Sequence, residues 1–145
     1  MVGSLELAAG TVVNDRYEVV RALGVGGMGA VYEVVDQTTR RRRALKVMLP
    51  TVIANDELRK RFAREAVVAA EVQGDHIAEV FDAGVDESLT APYIVMELLE
   101  GQELAQLVSE RGPRPAAEVA IYLSQTALAL DKAHAAGIVH RDLKP

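Results

Sequence analysis

The sequence predicts an α+β fold, in which an antiparallel sheet of five strands and one helix are followed by a helical segment. Two observations predict it. In the first half of the chain, β-branched and aromatic residues alternate with polar residues over short runs with short connections, which favours an antiparallel sheet. From Gln102 onward the composition changes to Ala- and Leu-rich runs at helical spacing. With 145 residues, of which 50% are hydrophobic and 26% charged, the chain has the size and apolar content of one folded domain.

Turn residues and helix-stop residues divide the chain into its predicted elements. A glycine cluster separates the first two strands, Asp36–Arg40 has turn chemistry before the third strand, and Pro50 closes that strand. Gly74 ends the first helix, and Gly137 suits the position after the last helix because glycine adopts the left-handed conformation at low cost. The predicted strands cover residues 17–23, 30–35, 44–49, 77–83 and 93–96. The predicted helices cover residues 56–72, 102–110 and 116–136.

The overall charge and the missing cysteines exclude several classes of protein. Sixteen Lys and Arg residues against 21 Asp and Glu residues give a net charge of −5, which argues against a nucleic-acid partner because phosphates require a basic face. The absence of cysteine excludes disulfides and thiolate metal sites and fits a reducing compartment. Met1–Val13 lacks the basic region of a signal peptide, and no apolar stretch approaches the ~20 residues of a membrane-spanning helix. The sequence therefore predicts a soluble, cytoplasmic chain.

The segment Gly24–Gly29 matches the pattern G-x-G-x-x-G, which occurs both in hairpin turns and in phosphate-binding loops. In a dinucleotide-binding Rossmann unit, a helix follows the third glycine and an acidic residue lies ~20 residues further on. Here a strand-like run, Ala30–Val35, follows instead, and Val47–Pro50 contains no carboxylate. A Walker A loop is excluded because no Gly-Lys-Ser/Thr is present. The glycines are therefore predicted to lie in a strand–loop–strand hairpin, whose backbone N–H groups can approach phosphate oxygens.

Two charged residues fall on faces that are otherwise predicted to be apolar. Lys46 alternates with Ala44 and Met48 along the third strand, and Glu65 lies on the helical stripe that begins at Leu58. The alternatives are an edge lysine whose ammonium reaches water and a glutamate paired with an arginine of its own helix. Because an isolated buried ammonium is costly, an ion pair between Lys46 and Glu65 would account for both residues at once.

At these residues the sequence resembles the eukaryotic-type protein kinases, and in particular their bacterial serine/threonine members. The glycine hairpin, the Ala-x-Lys strand and the helical Glu occur in the family's order, and the closing segment His140–Pro145, His-Arg-Asp-Leu-Lys-Pro, matches the family's catalytic loop. The resemblance implies an amino-terminal lobe over 17–96, a hinge over 97–103 and the start of a carboxy-terminal lobe over 104–145, with 1–16 as an amino-terminal extension. It also implies ATP-dependent phosphoryl transfer to Ser and Thr hydroxyls of protein substrates.

The resemblance implies a role for each residue that matches a motif of the family. Lys46 would hold the α- and β-phosphates and pair with Glu65, and Asp142 would accept the proton of the substrate hydroxyl. Lys144, two residues after Asp142, matches the serine/threonine class, and Arg141 matches the arginine that binds a phosphorylated activation loop. The residues implied to contact ATP are Leu23, Gly24, Val25, Gly26, Gly27, Met28, Gly29, Val31, Ala44, Lys46, Met96, Glu97, Leu99 and Glu103.

The residues implied to contact ATP divide by the part of the nucleotide that each would meet. The glycines would fold over the phosphates, and Leu23, Val31 and Ala44 would line the adenine pocket. Met96 falls at the gatekeeper position. The backbones of Glu97 and Leu99 would hydrogen-bond adenine, and Glu103 would meet the ribose.

The match ends before several motifs on which catalysis in the family depends. The metal-binding Asn expected five residues after Asp142, and the Asp-Phe-Gly motif, fall beyond Pro145, so the resemblance places the ligands of Mg²⁺ beyond residue 145. We therefore expect these 145 residues alone to be inactive in phosphoryl transfer. The alternative function is a truncated, non-catalytic nucleotide-binding or regulatory decoy module. The long helix is expected to leave apolar side chains exposed, namely Val119, Leu123, Ala127 and Leu130.

Overall fold

The structure is a computed structural model that describes residues 6–26, 29–48, 53–141 and 143–145. These residues divide into two units. The first unit consists of the described residues of Met1–Ala70 together with Glu79–Leu98, and the second consists of those of Glu71–Ala78 together with Leu99–Pro145. The predicted end of the third strand at Leu49 lies outside the described residues.

An antiparallel sheet of six strands forms the centre of the first unit, in the order β1-β2-β3-β4-β6-β5. The strands are β1 (Val12–Val13), β2 (Tyr17–Val25), β3 (Gly29–Asp36), β4 (Arg42–Met48), β5 (Val80–Asp86) and β6 (Ala91–Met96). The predicted α+β fold is confirmed. The sheet has one strand more than predicted, because Val12 and Val13 pair with Glu18 and Tyr17. Two residues are too few for an alternating pattern to show in a sequence.

Strand alternation gives the sheet two apolar faces. The larger core comprises Val13, Tyr17, Val19, Ala30, Tyr32, Val34, Leu45, Val47, Ala91, Tyr93 and Val95. Helix α1 (Asp56–Glu71) packs on the opposite face, to which the alternation of β4 assigns Lys46. Phe62 of α1 is 2% exposed and packs with Met48 of β4 and Ile94 of β6. This smaller core fixes the helix that carries Glu65 against the strand that carries Lys46.

The residues that precede β2 are tied to the sheet by hydrogen bonds. The backbone N–H of Leu7 donates to the hydroxyl of Tyr32 at 3.1 Å, and the Leu7 side chain packs against the larger core. The backbone N–H of Asn14 donates to a carboxylate oxygen of Asp86 in β5 at 2.5 Å. Residues 7–16 are therefore part of the same unit as the sheet.

The second unit contains helices α2 (Leu104–Arg111) and α3 (Ala116–Ala135). Gly137 follows α3 with a φ of 76°, in the left-handed conformation that glycine adopts at low cost. At the start of α3, Arg114 and Tyr122 donate hydrogen bonds to Glu118, and these bonds lower the pKa of Glu118 to about 2. No residue of α3 is buried, and its exposed apolar side chains include Val119, Ile121, Leu123 and Leu128. Among the described residues, no helix is long and apolar enough to cross a bilayer.

Candidate functional site

Lys46 lies at the centre of the sheet face that helix α1 covers. In the strand register, Lys46 pairs with Val31 of β3 on one side and with Ile94 of β6 on the other. Ala44, two residues earlier on the same face, pairs in turn with Met96 of β6. The side chain of Lys46 is 19% exposed, so its ammonium is largely removed from water. An ammonium in this position requires an anionic partner.

Glu65 of helix α1 supplies that partner. The Nζ atom of Lys46 donates to Oε1 of Glu65 at 2.8 Å, and it also lies 5.8 Å from the centroid of the Phe62 ring. The helix brings the carboxylate there because Phe62, which is buried, is three residues before Glu65 on the same stripe. The side chain of Glu65 is 41% exposed. Glu65 is therefore at the border of the apolar stripe and not within it, and solvent screens the pair more than the helical pattern predicts.

The described glycines of the G-x-G-x-x-G segment lie at the facing ends of β2 and β3. The backbone N–H of Gly26 donates to the carbonyl oxygen of Gly29 at 2.8 Å, which closes the hairpin. Among the described residues, a Cβ atom built on Gly24 would have no other atom within 4 Å, and one built on Gly26 would have the Gly29 oxygen at 3.8 Å. A Cβ atom on Gly29 would instead clash with the backbone carbonyl of Val47 in β4. Gly27 and Met28 lie outside the described residues.

The three described glycines therefore differ in whether the fold leaves room for a side chain at their position. Gly29 is required by the fold itself, because β4 passes too close for any side chain. Among the described residues, Gly24 meets open space and Gly26 meets the Gly29 oxygen at ordinary contact distance, and neither has a positive φ, so no described contact requires a glycine at either position. Their missing side chains leave room in which a ligand can approach the backbone.

The apolar residues implied to contact ATP have graded exposure. Ala44 is 6% exposed, whereas Leu23 and Val25, at the open end of β2, are 39% and 70% exposed. Val31 and Met96 are half-buried. These side chains leave apolar surface accessible beside the glycine hairpin.

The backbone amide of Glu97, directly after β6, already has a partner. Its N–H donates to the carbonyl oxygen of Glu79 at 2.8 Å, and the Glu97 carboxylate accepts from the backbone N–H of Glu79 at 3.3 Å. The backbone group that Glu97 can still offer to a ligand is therefore its carbonyl oxygen.

The remaining predicted site residues belong to the second unit. Leu99 is 69% exposed, and Glu103 is the residue that precedes helix α2, with an extended backbone conformation. Arg141 has a φ of 65°, a strained conformation for a residue with a side chain. Lys144 is exposed. Asp142, the predicted base, lies outside the described residues.

A buried carboxylate near the site is not marked by any motif. Glu33 of β3 is 1% exposed, and its two oxygens accept hydrogen bonds from Arg21 of β2 at 2.7 Å and Arg42 of β4 at 2.6 Å. The signal available in the sequence is a single Glu in an alternating strand flanked by strands that contain arginine. Arg42 belongs to the run Arg40–Arg43, and its guanidinium forms this ion pair with Glu33.

Residues 17–145 match the protein kinase domain family. The chain belongs to this family. This confirms the kinase resemblance that the glycine hairpin, Lys46, Glu65 and the closing segment predict. The match covers all of the described sheet except β1.

Curated relatives of this chain include bacterial serine/threonine-protein kinases that are considerably longer. A probable serine/threonine-protein kinase of Corynebacterium efficiens is 42% identical over 137 residues, which are 92% of this chain and 21% of the relative. The serine/threonine-protein kinase PknE of Mycobacterium tuberculosis is 38% identical over 146 aligned residues, covering 100% of this chain and 25% of the relative. The chain thus spans about a fifth to a quarter of the length of these relatives.

Solved kinase domains share the fold. The crystal structure of the Mycobacterium tuberculosis PknI kinase domain superposes with a TM-score of 0.84 at 39% sequence identity. The superposition covers 97% of this chain and 55% of the PknI chain. The six-stranded sheet and the helices that follow it therefore each have counterparts in a solved kinase domain.

Proposed function

We propose that these residues form the ATP-binding part of a serine/threonine protein kinase, which transfers the γ-phosphoryl group of ATP to Ser and Thr hydroxyls of proteins. In this proposal, 17–96 is the amino-terminal lobe, 97–103 the hinge and 104–145 the start of the carboxy-terminal lobe. The observation that carries the proposal is the Lys46–Glu65 ion pair beside a glycine hairpin that has open space at Gly24.

The phosphates of ATP are the part of the ligand that this arrangement fits best. Polyphosphate is strongly anionic, and the open space at Gly24 lets its oxygens approach the hairpin backbone without steric hindrance. Lys46 adds a cation on the adjoining sheet face, and Glu65 holds that cation in one place while leaving its other two N–H groups to donate. The pair therefore orients the lysine toward a ligand and does not merely neutralise it.

The adenine end of ATP would lie against apolar side chains. Ala44 and Met96 are register partners on the face that carries Lys46, and Val31 lies on the next strand beside them. The carbonyl oxygen of Glu97 would accept a hydrogen bond from the base, since its N–H is used by Glu79.

The transfer step is assigned to residues of the second unit by their match to the family. Asp142 would accept the proton of the substrate hydroxyl, and Lys144, two residues later in the same catalytic loop, matches the serine/threonine class. Mg²⁺ accompanies ATP in this family and neutralises phosphate charge. Among residues 6–26, 29–48, 53–141 and 143–145, no three His, Asp or Glu side chains converge as a metal site. By the match to the family's motifs, the protein ligands of Mg²⁺ would lie beyond residue 145.

Nucleotide binding is tested by titrating the 145-residue chain with ATP and measuring the heat of binding. Lys46→Met should weaken ATP binding by about tenfold or more, because a charge-assisted contact to phosphate is lost. Lys60→Met, at an exposed lysine of helix α1, is the matched control and should bind as the original chain does. Equal affinities of the Lys46→Met variant and the original chain would contradict the proposal.

Phosphoryl transfer is tested separately from binding. The chain is incubated with labelled ATP, Mg²⁺ and a generic acceptor protein, with Asp142→Asn as the control. Incorporation of label that depends on Asp142 would establish the kinase reaction in these 145 residues. Binding of ATP without incorporation would support the nucleotide-binding module as the function of the 145 residues by themselves.

A further inference from the structure

Glu33 joins three neighbouring strands through its carboxylate. It lies on β3, and the strand register places it between Arg21 of β2 and Ala44 of β4. One oxygen accepts from Nε of Arg21 at 2.7 Å, and the other accepts from Nη1 of Arg42 at 2.6 Å. The carboxylate is 1% exposed, whereas the two arginine side chains are 65% and 67% exposed. A buried carboxylate with one arginine on each oxygen has a fixed position, because breaking either pair leaves part of its charge unsatisfied.

The half of β2 that leads into the glycines has little else to hold it. The pairing of β2 with β3 is irregular on both sides of Arg21, between Val19 and Arg21 and again between Ala22 and Gly24. From Arg21 to Val25 every side chain of β2 is exposed, so no apolar packing anchors this half of the strand. The Arg21–Glu33 ion pair therefore lies where the pairing of β2 with β3 is irregular.

We propose that Glu33 is a positioning residue for phosphate binding. Through Arg21 it holds the strand that enters the glycine hairpin, and through Arg42 it holds the strand that carries Lys46. It thereby sets the distance between the hairpin amides and the lysine, the two groups that would meet the same phosphates. This inference rests on the proposed function, since it concerns the same site.

The prediction that separates positioning from simple stabilisation is a change in ligand preference. A looser hairpin should weaken contacts to the phosphates and leave contacts to the base, so affinity for ATP should fall while affinity for adenosine does not. We expect Glu33→Gln to weaken ATP binding by about tenfold and adenosine binding by less than about twofold. Arg21→Met should do the same, and this variant keeps the Glu33 carboxylate paired with its second partner, Arg42.

Asp36→Asn is the matched control. Asp36 is also a buried carboxylate of β3, 3% exposed, and it accepts two hydrogen bonds from Arg16 at 3.0 and 2.9 Å. It lies at the end of β3 opposite the glycines. Its loss should lower the unfolding temperature and leave the ratio of ATP to adenosine affinity unchanged.

Two measurements decide the inference, namely calorimetric titration with ATP and adenosine, and amide hydrogen exchange in the absence of nucleotide. Exchange at Leu23–Gly26 should accelerate in the Glu33→Gln and Arg21→Met variants and not in Asp36→Asn. If ATP and adenosine weaken equally, or if the hairpin exchanges as in the control, the positioning role is overturned while the proposed function stands. If Lys46→Met binds ATP as well as the original chain does, the proposed function fails and the role of Glu33 in phosphate binding fails with it.

Discussion

The two ends of the β2–β3 ribbon are built in opposite ways. At the end formed by Tyr17 and Asp36, side chains are buried, and the Asp36 carboxylate accepts from Arg16 and from the turn that follows. At the other end, β2 is exposed from Arg21 to Val25, and open space surrounds Gly24. The same pair of strands thus provides a rigid anchor at one end and an accessible backbone at the other. The comparison indicates that the anchored end stabilises the fold so that the open end is free to contact a ligand.

The largest difference between the two ends should be found by truncating one apolar residue at each. Tyr17→Ala should lower the free energy of unfolding by about 3–5 kcal/mol, because the ring is 1% exposed and its hydroxyl donates to Asp82 at 2.6 Å. Leu23→Ala at the open end should cost less than about 1 kcal/mol, because this side chain is 39% exposed. Urea unfolding measures both values. Similar losses for the two variants would show that the ends are equally anchored.

A second contrast concerns the glycines within the open end itself. Gly29→Ala should destabilise the fold by about 1–3 kcal/mol, because its Cβ would clash with the carbonyl of Val47. Gly24→Ala should change the free energy of unfolding by less than about 0.5 kcal/mol, since the new methyl group meets no atom. ATP binding should weaken in the Gly24→Ala variant even though its stability does not change. A stable Gly29→Ala variant would contradict the assignment of that glycine to packing against β4.

Acid should weaken the anchored end in particular. Hydrogen bonds from Arg16, and then from Thr39 and Thr38, hold the pKa of Asp36 well below its usual value. A carboxyl with a lowered folded-state pKa contributes stability above its unfolded pKa of ~3.9, and that contribution is lost as the pH falls toward the folded value. Asp36→Asn should therefore cost about 1–3 kcal/mol at pH 7 and less at pH 3.

The measurement for Asp36 is urea unfolding of both proteins at the two pH values. Asp131→Asn removes the same charge from an exposed position of α3 and is the control. A cost of Asp36→Asn that is the same at pH 3 and pH 7 would show that the ionised carboxylate does not contribute to stability.

A small effect on stability is also expected from the coupling of Lys46 and Glu65. Because the Glu65 side chain is 41% exposed, their coupling in a double-mutant cycle should be below about 1 kcal/mol in the free energy of unfolding. Their coupling in ATP affinity should be larger, because Glu65 holds the ammonium where a phosphate would bind. Additive effects of the two single substitutions on ATP affinity would show that the pair does not act as a unit.

The faces on which Lys46 and Glu65 lie can be predicted from the sequence, whereas the depth of a side chain and the bounds of a strand cannot. Alternation places Lys46, and helical spacing places Glu65, on facing surfaces, and the structure joins them at 2.8 Å. Helical spacing gives the direction of a side chain and not its depth, so the 41% exposure of Glu65 was not predictable. The strand predicted over 77–83 is β5, which covers Val80–Asp86. The prediction begins too early because residues with strand propensity also occur in the connection before β5.

Contacts between distant segments account for the other differences. The motif G-x-G-x-x-G does not distinguish its glycines from one another. The structure does, because the Val47 backbone leaves no room for a side chain at Gly29, whereas Gly24 has open space. The role of Glu33 depends on two arginines contributed by the flanking strands, a contact that sequence spacing does not encode. The functions assigned to the site residues stay predictions until the binding experiments are done.

The hydrogen bond between the Glu97 amide and the Glu79 carbonyl has a consequence for nucleotide choice. Because that amide is used, the Glu97 backbone can offer a base only an acceptor, its carbonyl oxygen. Adenine carries an exocyclic amino group as a donor on the edge where guanine carries a carbonyl oxygen. An acceptor facing that edge would attract the first base and repel the second, so a single backbone contact made within the sheet unit would already favour ATP over GTP.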